Sequence, residues 1–105
     1  MCRVLNRHRD VIPPDAVYIG RGSPWGNPFR IGVDGDRQAV IAHYEAWLRD
    51  QQHLLKRLDE LRGRDLVCFC APRPCHGDLL LCLANTDRQT RIAWWKRCTA
   101  AKDLT

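Results

Sequence analysis

The segment "LVCFCAPRPCHGDLLLCLAN", Leu66–Asn85, decides how this chain is read. Its first part, with Asp65 before it, is a short apolar run that stops at prolines, which predicts a buried strand. Its last part, "GDLLLCLAN", is apolar nearly all round, which predicts a central helix rather than a surface one. Between them Cys68, Cys70, Cys75 and His76 fall within nine residues.

Working outward, "RVLNR" and "AVYIGR" read as short strands separated by the Pro13-Pro14-Asp15 turn. "SPWGNPF" is a Pro/Gly loop and "GVDGD" a turn, with Asp36 placed to cap a helix over 37–50. At ~100° per residue Val40, Ile41, Tyr44, Trp47 and Leu48 share one face of that helix. Leu54, Leu55, Leu58 and Leu61 continue the stripe, in one helix or in two broken near Asp50 to Gln52, and Gly63 supplies a stop. Residues 87–103 form a last, basic helix, on which Trp94, Cys98 and Ala101 face the domain and Trp95 lies apart, amid Arg88, Arg91 and Lys102. The order predicts a small single-domain α/β sandwich over 1–105. It has about three strands, at least partly parallel and with "DLVCFC" central, and three to four helices.

The chain has 105 residues, enough for one core. No apolar run approaches the ~20 residues of a membrane span. The N-terminus "MCRVLNRHRD" is charged and lacks an apolar signal core, so a cytoplasmic protein with no membrane partner is expected. In that compartment the six cysteines read as core residues, ligands or reactive thiols, not disulfides. The net charge of +5 comes from the two ends of the chain, at +3 in residues 1–30 and +3 in 66–105. That balance suits an acidic partner such as nucleic acid or a nucleotide, and equally a solubilising surface.

Three readings of the cysteine-histidine segment stand side by side. Zinc is one: Cys70, Cys75 and His76 supply suitable atoms. Cys68 and Cys70, alternate on a strand with Cα atoms ~6.6 Å apart, argue against a closed four-ligand site. A thiol site is another, with Cys70 ending a strand, Cys75 opening a helix and His76 as base or hydrogen-bond partner. Pro72 and Pro74 make the connection a poor phosphate cradle, although Arg73 can still meet an anion. The third reading is packing, expected in any case for Cys68 and Cys82.

"YIGRGSPWGNPFRIG", Tyr18–Gly32, is the second informative block. Gly26 is expected at positive φ. Trp25 and Phe29 offer flat surfaces for a base, Asn27 a donor and an acceptor for its edge, and Arg21 and Arg30 charge for phosphate. The alternative is that the aromatics plug the core.

The two blocks, "IGRGSPWGNPF" and "LRGRDLVCFCAPRPCHGDLL", resemble the family called domain of unknown function 4326, found in bacteria and their phages. The matching positions are Gly20, Arg21, Pro24, Gly26, Asn27, Pro28 and Phe29, then Cys68, Cys70, Pro72, Cys75, His76 and Leu80, within residues 17–85. The resemblance implies a small α/β protein of the cytosol, in a phage the host cytoplasm, and brings no activity with it. Two functions follow from the residues. In the first, a Cys-His site beside the aromatic loop binds or acts on a nucleotide, nucleobase or nucleic acid. This requires the two blocks to meet in one cleft. In the alternative, a non-enzymatic accessory protein binds a host protein or DNA through the basic helix, and the Cys-His segment is structural or holds zinc.

Overall fold

The computed structural model describes residues 3–69, 73 and 75–103. Three short strands form one sheet: β1 (Val4–Asn6), β2 (Val17–Tyr18) and β3 (Leu66–Cys68). Their order is β1-β3-β2, and the central β3 runs parallel to both neighbours. All three residues of β3 are buried, which explains why its sequence is continuously apolar instead of alternating. Parallel pairing also means that "RVLNR" and "AVYIGR" do not form a hairpin; the Pro13–Ala16 turn carries the chain from one edge of the sheet to the other.

The first helix, α1 (Arg37–Arg49), starts where Asp36 accepts from the Ala39 N–H at 2.9 Å. Val40, Tyr44 and Leu48 form its buried face. The apolar stripe then breaks at Asp50 and Gln51. It resumes in α2 (Gln52–Leu55) and a 3-10 turn (Leu58–Leu61), with Leu54, Leu58 and Leu61 buried. Gly63, at φ 75°, ends the run. After β3 the chain enters α3 (His76–Ala84), which packs on β1 and β3, and α1 packs on α3 in turn.

The last helix, α4 (Arg88–Asp103), lies against α1. Trp94 anchors it: the ring is buried and its indole N–H donates to Glu45 of α1 at 3.1 Å. Arg91 adds a second anchor. Its guanidinium donates to the Leu83 and Ala84 carbonyls at the end of α3, at 2.6 and 2.9 Å, and pairs with Asp59 at 2.9 Å. Carbonyls at a helix end have no partner within the helix, so these two bonds close α3 as well as fixing α4. Among the described residues no helix is long and apolar enough to cross a membrane.

One core assignment is corrected. Cys82 is exposed, because Leu80, Leu83 and Ala84 take the inner face of α3 and leave position 82 outside. Trp94→Ala is expected to cost about 3–5 kcal/mol in chemical denaturation as a large-to-small core change. Cys82→Ala should fall within about 0.5 kcal/mol of the parent. Trp95→Ala, at a position 37% exposed, should cost clearly less than Trp94→Ala.

Candidate functional site

Because the strands are parallel, Asn6, Tyr18 and Cys68 end at the same edge of the sheet. Ligands of α/β proteins bind at that carboxyl edge. Here it opens into a cavity of about 460 Å³. The glycine-proline loop after β2, the first turns of α1 and α3, and Cys68 and Phe69 at the end of β3 all contribute to its wall. The two sequence blocks therefore meet in one cleft, as the nucleotide reading requires.

Cys75 and His76 enter as the start of α3. Cys75 is the N-cap, extended at φ −153° and ψ 175°. Its Sγ accepts from the Gly77 N–H at 3.3 Å, and Asp78 accepts from the Cys75 N–H at 3.1 Å. This is a capping box with a thiol in the place of a hydroxyl. The Cys75 Sγ lies 3.5 Å from that of Cys68. His76 is buried, and its Nε2 is 2.7 Å from the Ile19 carbonyl oxygen. A carbonyl only accepts, so Nε2 carries the proton and donates. That nitrogen is consequently unable to ligate a metal or take up a proton in this arrangement. The ring packs on Tyr44, with centroids 4.9 Å apart. Gly77 lets α3 approach the sheet: a Cβ there would stand 2.7 Å from Ile19 Cδ1 and 3.2 Å from Val4 Cγ2.

The loop is divided between core and cavity. Trp25 is only 3% exposed and belongs to the core, so the stacking surface expected of it is inside the protein. Its carbonyl accepts from the buried Tyr44 hydroxyl at 2.8 Å. Burial pushes the Tyr44 phenol above its ordinary pKa. Gly26 is corrected too. It is not at positive φ; a Cβ there would meet the Gly20 carbonyl oxygen at 2.8 Å, so close approach of two backbone segments is what calls for glycine. Asn27 lines the cavity, but its amide holds the loop, donating to Val40 O at 3.1 Å and accepting from Phe29 N–H at 2.9 Å. Phe29 does face the cavity and leans on His43, with centroids 5.2 Å apart.

The described lining residues include three arginines, Arg21, Arg30 and Arg37, and no aspartate or glutamate. Arg37 escaped the sequence reading, as did Phe69. Phe69 follows β3 directly and is 47% exposed. Its carbonyl accepts from Asn6 Nδ2 at 3.2 Å, and its ring touches His8 and Tyr18, with centroids 4.9 and 6.1 Å away. An aromatic directly after an apolar strand was the available signal. Arg73 is exposed and outside the cavity wall, and Cys70 lies outside the described residues. Among the described residues no group of three or more His, Cys, Asp or Glu side chains is arranged to hold a metal ion. A second hollow of about 470 Å³ is lined by Arg88, Ile92 and Trp95 of α4 together with Gln52 and Leu55 of α2.

The family model described as "Domain of unknown function (DUF4326)" matches residues 4–86. The chain is also similar to a protein of Enterobacteria phage T4 described as "Uncharacterized 12.4 kDa protein in nrdA-td intergenic region". The two are 37% identical over 93 residues, covering 81% of this chain and 79% of the phage protein. No solved structure matches.

Cys75→Ser should keep the cap and leave stability equal or raised, whereas Cys75→Ala should lose roughly 0.5–1 kcal/mol in urea denaturation. Tyr44→Phe removes the donor to Trp25 O and should cost about 1–3 kcal/mol at neutral pH. Above about pH 10 an unfolded Tyr44 has lost a proton that the folded state retains, so stability falls as pH rises there. In Tyr44→Phe that fall should be shallower, as read from denaturation curves taken across the alkaline range.

Proposed function

The chain belongs to the DUF4326 family, and from that premise we propose that the cavity at the strand ends binds a nucleotide. The observation that carries the reading is its chemistry: among the described residues three arginines and no carboxylate line it, together with the aromatic rings of Phe29, Phe69 and Tyr18. Its volume lies within the range of small-ligand pockets. A phosphate would sit among the arginines and a base against Phe29 or Phe69, since every base offers a π face.

On this reading Cys75 and His76 are positioning residues. One caps α3 and the other ties α3 to the end of β2, so on this reading neither is offered to the nucleotide as nucleophile or base. The second reading, a basic α4 that binds nucleic acid or a host protein, is favoured by the partly exposed Trp95 beside Arg88. The cavity is the better supported of the two, because its cations and rings converge in one place.

The test is titration calorimetry with the common nucleoside 5′-monophosphates, their nucleosides and inorganic phosphate. At least one monophosphate should bind, more tightly than its nucleoside or phosphate alone, and more weakly as salt rises. Arg21→Ala or Arg30→Ala should weaken it about tenfold or more, the worth of a charge-assisted bond, and Phe29→Ala by a similar factor. If no monophosphate binds, or if binding ignores all three substitutions, the reading is wrong. Salt-sensitive DNA binding that Trp95→Ala reduces and Arg21→Ala does not would move the function to α4.

A further inference from the structure

We propose that Cys68 and Cys75 are a redox pair that closes to a reversible disulfide between the end of β3 and the start of α3. Their sulfurs lie 3.5 Å apart. A disulfide needs about 2.0 Å, so some 1.5 Å must be closed, within reach of small side-chain rotations at the two positions. Neither Cys82 nor Cys98 makes a comparable contact: Cys82 is exposed on the outer side of α3, and Cys98 stands on α4 near Glu45.

Burial alone would make two such thiols inert. Their place in the fold bears on this, since both line the cavity at the strand ends, the side from which a molecule as small as hydrogen peroxide would approach. Cys75 is the thiol that reacts with peroxide first. Its sulfur accepts the Gly77 N–H at the N-terminus of α3, where negative charge on sulfur is favoured. The Cys75 sulfur attacks one peroxide oxygen; the O–O bond breaks, an S–O bond forms, and one water leaves with a proton from the thiol. The Cys68 sulfur then attacks the Cys75 sulfur; the S–S bond forms, the S–O bond breaks, and a second water leaves. Two thiols lose two electrons and two protons in total, and peroxide is reduced to two waters. A small dithiol reverses the step by exchange.

The new bond would pull the cap of α3 toward β3 and reshape the cavity floor. The proposal does not depend on nucleotide binding, and its test reads mass, so the two can fail separately. Reduced full-length protein is treated with graded hydrogen peroxide, denatured and alkylated. It is then cleaved after Phe69 to part Cys68 from Cys75, and the linked residues are assigned by tandem mass spectrometry. The expected result is a loss of two hydrogens, a link between Cys68 and Cys75, and full recovery of both thiols with dithiothreitol. Cys75→Ser, which keeps the helix cap and therefore the fold, should abolish the link; Cys82→Ser and Cys98→Ser should leave it intact. The proposal is overturned if the first link formed includes any other cysteine, or if Cys68 and Cys75 both remain alkylatable while the protein is oxidised elsewhere.

Discussion

The bond from His76 Nε2 to the Ile19 carbonyl holds the candidate site together. Ile19 is the residue at which β2 stops. Its N–H still donates to Val67 O at 2.9 Å, but its carbonyl turns to His76, 57 residues further along the chain. A buried carbonyl without a donor is costly, so the histidine satisfies a group that leaving the sheet would otherwise orphan. Once that group is satisfied, the chain is released from the sheet and can build the loop that walls the cavity. The same imidazole rests on Tyr44, whose hydroxyl holds the Trp25 carbonyl. One ring thus ties β2, α3, α1 and the loop to each other.

Close approach is the second constraint, and glycines make it. Gly77 brings α3 down to Ile19 and Val4, and Gly26 brings the loop back to the Gly20 carbonyl. Gly20 itself leaves space for the Tyr18 ring, whose Cζ would be 2.6 Å from an added Cβ. The cavity is therefore shaped by backbones meeting without side chains between them, while the side chains that surround it are long arginines and aromatic rings. A Cβ at Gly77 would push α3 off the sheet, and one at Gly26 would push the loop off the Gly20 carbonyl.

Much of the fold was legible because its signals are local. The continuous apolar run of β3, the Asp36 cap, the stripe through Leu61 and the break at Asp50 each depend on neighbours a few residues away. The site was only half legible. Arg21, Asn27, Phe29 and Arg30 were found because an aromatic and basic loop stands out, and they do line the cavity. Trp25 carries the same composition and lies in the core, since side-chain direction within a loop has no periodicity to betray it. Cys82 was misjudged because an almost wholly apolar helix hides its one outward position. Phe69 and Arg37 reach the cavity only through the parallel arrangement of the strands and the docking of α1, which are tertiary facts.

The cysteine-histidine segment shows why atom types are a weak guide to chemistry. In sequence Cys75 and His76 supply a nucleophile, a base and two metal ligands. In the fold, the sulfur accepts a backbone N–H and the imidazole donates to a backbone carbonyl, so the pair acts first as a joint between helix and sheet. A joint of this kind must be stiff, because it fixes the wall of a cavity whose charged and aromatic lining comes from other residues. The arginines that would meet a ligand are the reverse: Arg21 and Arg30 are exposed and long, and carry the charge that the joint lacks. Rigidity and charge are thus assigned to different residues of the same cavity. The groups that hold the cavity in shape are thus separate from the long, charged and aromatic side chains that line it.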